Sequence, residues 1–273
     1  MRGGGAGVPD AGDRKRCRVN DLIGETLHTP LFDQAEAVRW RMADIPWHAI
    51  AREAVTPELC RLVRDIAFSE QTTFGATRRF LTDLADDVDL TQWIAVWFYE
   101  ETKHPNVLLR WLHQLGITVD DRFVHKGRAT APFMRSRMGT LVTNIISEMV
   151  ASTGYVALRD RSPEPVLAQI AARLAADEAR HCASFYQYAR RHLERSPDPD
   201  RERRDALKIL FMWFRSNELV GHPVSEFFQR HDVPFDITTV RDRVSRLIGL
   251  LVGRELTGAS DLGQHLSMPG AKS

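Results

Sequence analysis

Two long apolar seams in this chain are each broken by a glutamate and, three residues later, a histidine. One seam runs Ile94, Trp97, Glu101, His104, Leu108, Trp111; the other runs Leu167, Ala171, Leu174, Glu178, His181, Phe185, Tyr188. Spacings of three and four place each set on one face of an α-helix. Both Glu-x-x-His pairs therefore point where their neighbours predict a core. Burying ionisable side chains is costly unless they pair with one another or hold a metal ion. A chain built this way folds only where something cancels that charge.

Two further seams each add one more acid. The first reads Leu59, Val63, Ile66, Glu70, Phe74, Thr77, and the second Met134, Met138, Leu141, Ile145, Glu148, Ser152, Tyr155. A lone glutamate on a helix seam ordinarily snorkels to water or pairs with arginine. A single Glu-x-x-His match also arises easily by chance in a chain with 36 acidic residues and ten histidines. Taken together, however, four seams supply Glu, Glu-x-x-His, Glu and Glu-x-x-His in that order. This is the ligand set of a carboxylate-bridged di-iron or di-manganese helical bundle. Four carboxylates and two imidazoles suit iron redox chemistry better than a structural zinc site.

Strand signals are nearly absent, and glycine and proline gather at a few breaks, as a bundle with short loops requires. Six helical stretches are predicted, over residues 56–84, 89–115, 130–159, 162–195, 201–220 and 238–256. Thr56 followed by Pro57, and Ser162 followed by Pro163, supply N-terminal caps; Gly116 stops the second stretch, and Gly221 with Pro223 the fifth. Pro105 follows the first motif histidine directly. It removes the backbone donor to Glu101 and should kink or loosen the helix there.

The surface balance excludes several function classes. Lys and Arg number 37 against 36 Asp and Glu, for a net charge of +1. That leaves no positive excess for binding nucleic acid across the surface. No uninterrupted apolar run approaches the roughly 18 residues of a membrane span, so no membrane insertion is expected. Cys17, Cys60 and Cys182 are an odd count without metal-site spacing, which points to a reducing compartment and a cytoplasmic protein. The domain reading is a disordered Gly-rich leader over 1–24, a helical domain over 25–265 and a flexible tail over 266–273.

The motif residues resemble those of the soluble acyl-carrier-protein desaturases of the ferritin-like superfamily. Glu100-Glu101-Thr102-Lys103-His104 is similar to that family's EExxH, and Asp177-Glu178-Ala179-Arg180-His181 to its DExRH. The resemblance extends loosely through Met212 and Phe227, with His222 and Pro223, and through Leu251 to Gly253 and Arg254, Leu256 to Gly258, Gly263 and Gln264. It implies a ferritin-like four-helix bundle with extra N- and C-terminal helices. It also implies two iron ions as cofactor and O2 as co-substrate. Glu101 and Glu178 would bridge the ions, with Glu70 and Glu148 terminal and one imidazole each from His104 and His181. Glu100 and Asp177 would accept hydrogen bonds from the opposite histidine.

The implied reaction is desaturation of a carrier-bound acyl chain by a homodimeric enzyme in fatty acid metabolism. No flavin, nicotinamide or iron–sulfur fingerprint is present, so electrons would come from a ferredoxin or similar donor. Arg201-Glu202-Arg203-Arg204 and Arg241-Asp242-Arg243 are candidate docking clusters, although such runs are more often solvated helix faces. Met138, Met149, Phe74 and Phe185 are candidates for lining an acyl cleft, each also a plausible core residue.

Two departures from the family pattern matter. Where desaturases carry threonine, three residues after the third-helix glutamate, this chain has Ala151. Ser152, one residue on, resembles the hydroxyl of bacterial multicomponent monooxygenases and is the candidate catalytic hydroxyl, which keeps hydroxylation open as an alternative. Other dimetal families match less well. Leu108 occupies the place of the ribonucleotide reductase radical tyrosine, and Leu174 that of the extra histidine of arylamine oxygenases. An iron-storing or peroxide-scavenging role is the non-desaturase extreme.

Overall fold

The computed structural model describes residues 26–129, 136–215 and 236–256. Among the described residues there is no strand, and the all-α class expected from the sequence is the one found. In chain order the helices are α1 (His28–Val38), α2 (Pro57–Ser69), α3 (Thr72–Asp83), α4 (Val88–Glu101), α5 (Lys103–Gln114), α6 (Asp121–Ala129), α7 (Arg137–Arg161), α8 (Pro165–Arg195), α9 (Pro199–Arg215) and α10 (Ile237–Val252). Three short 3-10 turns carry the chain between α1 and α2.

Four long rods form the bundle: α2 continued by α3, α4 continued by α5, then α7 and α8. At 25 and 31 residues, α7 and α8 extend about 37 and 46 Å. They pack against each other more extensively than any other described pair. Their starts are chemically marked. Ser136 accepts from the Gly139 N–H at 3.0 Å to open α7, and Asp87 accepts from Leu90 N–H at 3.0 Å to open α4. Gly253, at φ +68°, closes α10 in the left-handed conformation that glycine tolerates.

Several boundaries differ from the sequence reading, each for a local reason. The predicted 56–84 stretch is two helices, because the chain tightens to i→i−3 bonding at Glu70–Phe74: Gln71 N–H reaches Phe68 O at 3.2 Å and Thr73 N–H reaches Glu70 O at 3.4 Å. The 89–115 stretch divides at Thr102, three residues before Pro105, as a missing donor to Glu101 requires. The cap of α8 is Glu164 with Pro165 at the first turn, in place of Ser162 and Pro163. Neither α1 nor α6 was predicted. The latter is strongly polar, with few apolar residues, and is held by Phe123, edge-on to Phe68 at 5.2 Å. The leader 1–24 with Cys17, the tail 266–273, residues 130–135 with Met134, the segment 216–235 with Gly221, His222 and Pro223, and residues 257–265 lie outside the described residues.

The interior is two apolar cores, not one. The first gathers Phe80, Trp93, Trp97, Met138, Ile145, Phe185 and Tyr188 with parts of α9 and α10. The second gathers Val63, Ile66, Val107, Trp111, Tyr155, Leu167 and Leu174. On the α2–α3, α4–α5 and α8 rods the break between them spans the seam acids, and on α7 it falls between Val150 and Ala151, just past Glu148. By length and composition α7 alone among the described helices is apolar enough to cross a membrane, but 61% of its most apolar window is buried inside the protein, where it serves as the central rod.

Glu164 ties this frame together. Fully buried, its carboxylate accepts from Trp111 Nε1 at 2.8 Å, Leu167 N at 2.7 Å, Val166 N at 3.1 Å and Ala51 N at 3.2 Å. Removing it strands three buried donors and one part-buried donor. Glu164→Ala is expected to lower unfolding free energy by about 3–5 kcal/mol, read by chemical denaturation. A loss under about 1 kcal/mol would show that the staple is dispensable.

Candidate metal centre

The seam acids and histidines of all four rods meet in the layer between the two cores. Glu70 lies at the tightened junction of α2 and α3, Glu101 and His104 flank the break between α4 and α5, Glu148 is on α7, and Glu178 and His181 are on α8. All six are at most 5% exposed. They form two overlapping groups, Glu70, Glu101, His104, Glu178 and Glu101, Glu148, Glu178, His181; within each, the donor atoms lie within 4.8 Å of one another.

Glu101 and Glu178 belong to both groups, and their oxygens divide between the two imidazoles. Glu101 places Oε2 3.7 Å from His104 Nδ1 and Oε1 2.8 Å from His181 Nδ1. Glu178 places Oε1 3.2 Å from His104 Nδ1 and Oε2 3.3 Å from His181 Nδ1. Glu70 Oε2 faces only His104, at 3.6 Å, and Glu148 Oε2 only His181, at 3.8 Å. The rings stack with centroids 5.9 Å apart. One three-donor frame plus a terminal carboxylate thus surrounds each of two adjacent positions, the arrangement two bridged metal ions require.

A direct sign of fit comes from His104. Its Nδ1 is buried and aimed among three carboxylate oxygens, yet it makes a directional hydrogen bond with none of them. A buried polar atom pointed into a gap lined by carboxylate oxygens is suited to a cation.

Both imidazoles turn their far nitrogen to a second carboxylate on the opposite rod. His104 Nε2 lies 3.3 Å from Asp177 Oδ2, and His181 Nε2 lies 3.2 Å from Glu100 Oε2. The Arg180 guanidinium joins these two acids, reaching Asp177 Oδ1 and, at 3.3 Å, Glu100 Oε1. Burial opposes ionisation of Asp177, but the His104 hydrogen bond and charge, with His181 and Arg180, hold it well below the usual carboxylate range. Glu100 is lowered in the same way, burial being outweighed by the His181 hydrogen bond and charge.

The structure places one candidate elsewhere. Ser152 donates its hydroxyl to the Ala175 carbonyl at 2.9 Å, satisfying the backbone of α8 instead of facing the cluster. The hydroxyl that touches the cluster is Thr73, which donates to Glu101 Oε2 at 3.2 Å. Its signal was its spacing, three residues after Glu70 and so on the same face. Tyr155 donates to Glu70 Oε1, and Trp97 Nε1 to Glu148 Oε1 at 3.2 Å. Both stood on the seams as apparent core residues. Trp40, whose Nε1 donates to Asp177 Oδ2 at 2.8 Å, follows α1 and carried no sequence signal. Of the residues considered for an acyl cleft, Met138 and Phe185 are packed into the core, Phe185 edge-on to Trp93 at 4.8 Å; Phe74 lies under Arg128, and Met149 is half-buried.

No protein-family model matches the chain. Solved structures with this arrangement of helices include an R2-like ligand-binding oxidase with aerobically reconstituted Mn/Fe cofactor, at TM-score 0.59 and 17% identity over 90% of this chain and 98% of that one. The fold is ferritin-like. A single-substitution variant of such an oxidase with anaerobically reconstituted Mn/Fe cofactor gives 0.58 at 17% identity, over 84% and 93% of the two chains. Another, with aerobically reconstituted Fe/Fe cofactor, gives 0.57 at 17% identity over the same shares. None of these three is a desaturase, so the resemblance read from the motifs narrows here to the shared scaffold.

Without metal, protons take the cation's place. Burial lowers the affinity of His104 and His181 for protons, but the carboxylates around them outweigh it and hold both well above the ordinary imidazole value. Burial, with the Glu178 charge beside it, pushes Glu148 up to about 8. Raised imidazoles stabilise the metal-free fold fully below their unfolded value, and that contribution is lost as pH rises through the folded value. Metal must displace these protons. Calorimetric titration with Fe2+ or Mn2+ in buffers of different ionisation enthalpy should therefore show proton release, and apparent affinity should rise between about pH 6 and 8. Affinity that is flat or falls with pH would contradict this protonation pattern.

Proposed function

We propose that the chain is a dioxygen-dependent oxidoreductase with a dinuclear metal centre, acting as an acyl-carrier-protein desaturase. The observation that carries the oxidoreductase reading is the pair of four-donor groups sharing Glu101 and Glu178. In this reading Glu70 and His104 would complete the donors of one ion and Glu148 and His181 those of the other, with Glu101 and Glu178 available to both. The desaturase assignment rests on the two motifs. The Mn/Fe and Fe/Fe cofactors of structures with this fold leave an iron pair and a mixed pair both compatible with the donors.

The chemistry such an ion pair supplies when bound is reductive activation of dioxygen. The protein's own share is placement. Asp177 and Glu100 hold the imidazoles with Nδ1 inward and fix which ring nitrogen is protonated. Trp97, Tyr155 and Phe185, all buried, close the centre to bulk water. In sum, an acyl chain would lose two hydrogens to become an alkene, and those two hydrogens, dioxygen, two electrons and two protons would leave as two waters. The electrons come from a ferredoxin-type donor, and the substrate is delivered on its carrier protein.

A second reading, oxygen insertion into a bound small molecule, is favoured by the ligand-binding oxidases that share the scaffold. Product mass separates the two. Reduced protein incubated with dioxygen, an electron donor and carrier-bound acyl chains should yield products lighter by two hydrogens. Gain of one oxygen supports the second reading, and no change on any acyl chain removes the desaturase.

Metal analysis tests the centre independently. About two ions per chain are expected after anaerobic loading, with loss of loading in Glu101→Ala and His181→Ala. Asp177→Ala and Glu100→Ala should weaken binding about 10–100-fold. Undiminished loading in the first pair would refute the assignment.

A further inference from the structure

The two terminal carboxylates are not left to choose their own geometry. Glu70 turns Oε2 toward His104 while Oε1 takes the Tyr155 hydroxyl; Glu148 turns Oε2 toward His181 while Oε1 takes the Trp97 indole N–H. The shared carboxylates differ, since each directs both oxygens inward, one to each imidazole. We infer that Tyr155 and Trp97 are positioning residues for the metal pair, each tying the outer oxygen of one terminal carboxylate so that Glu70 and Glu148 offer a single oxygen apiece and a coordination position stays open at each ion.

A carboxylate beside a divalent ion can close both oxygens onto it. Here that motion would break a hydrogen bond to a charged acceptor in a dry setting, where such bonds are strongest. Tyr155 is completely buried and Trp97 3% exposed. Each has one polar hydrogen, and the only acceptor it meets among the described residues is that carboxylate oxygen. Releasing the carboxylate would therefore orphan a buried donor.

Each tie also crosses between rods. Tyr155 on α7 holds the acid at the α2–α3 junction, and Trp97 on α4 holds the acid on α7. Tyr155 lies seven residues, two helical turns, past Glu148, so one face of α7 carries both a terminal acid and the tie for the other. Fewer donors per ion leave room for dioxygen, which is what separates a reactive metal site from a closed structural one.

The inference rests on the metal pair proposed above, and cobalt(II) separates the two. Cobalt's visible bands weaken as its coordination number rises. Wild-type protein, Tyr155→Phe, Trp97→Phe and the double variant are loaded anaerobically with cobalt(II), and band intensity per bound ion is compared. Each single variant is expected to lose intensity, and the double variant to lose the sum. Infrared difference spectra of cobalt-loaded wild type supply a measurement that needs no variant. Single-oxygen carboxylates show a wide separation of the two carboxylate stretches, and this should narrow in the variants. Full loading with unchanged bands and stretches in both variants overturns the inference, as does absence of the wide separation in wild type. Failure of wild type to bind about two cobalt ions would instead remove the metal pair itself.

Discussion

Four carboxylates and two imidazoles, none more than 5% exposed, lie in one layer between two apolar cores. Their mutual charge cancellation is the condition on which the rest of the structure depends. Apolar packing on either side can fix the rods only if that layer is neutralised, by protons on the imidazoles and on Glu148 or by bound cations. The long α7–α8 hairpin runs through both cores, and so links the layer to the whole bundle.

Helix regularity gives way where the layer needs it. The chain tightens at Glu70 and Gln71, and α4 yields to α5 at Thr102, beside Glu101 and His104. In both places the backbone departs from straight α-geometry within a residue or two of a cluster side chain, as interruptions near functional sites commonly do. On α7 and α8, by contrast, Glu148, Glu178 and His181 sit inside unbroken helix, so those rods provide the rigid side of the centre.

Outside the six central residues is a second charged network. Arg180 joins Asp177 and Glu100, each acid holds an imidazole, and Trp40 donates to Asp177. Lys103, only 7% exposed, lies 4.5 Å from the centre of the Trp40 ring and contacts its carbonyl at 3.4 Å. Alternating charges of this kind offset the two acids that hold the imidazoles, whose carboxylates stay buried.

The seams were legible in the sequence because helical periodicity is a local property. Spacings of three and four put Glu70, Glu101, His104, Glu148, Glu178 and His181 on core faces before any rod was placed against another. Pro105 announced the break at Thr102 for an equally local reason, its missing N–H. Periodicity also misled: a continuous 56–84 helix ignored the tightening at Glu70, and Ser152, on the correct seam, bonds to Ala175 O while Thr73 takes the place beside Glu101. Which oxygen of a carboxylate faces which imidazole, and which hydroxyl or indole reaches it, depends on the axial register and rotation of rods joined by contacts such as Tyr155 with Glu70, 85 residues apart, and Trp40 with Asp177, 137 apart. Helical period is enough to assign these side chains to buried faces. Their orientation emerges only when the rods are packed, because packing between helices leaves no period within one.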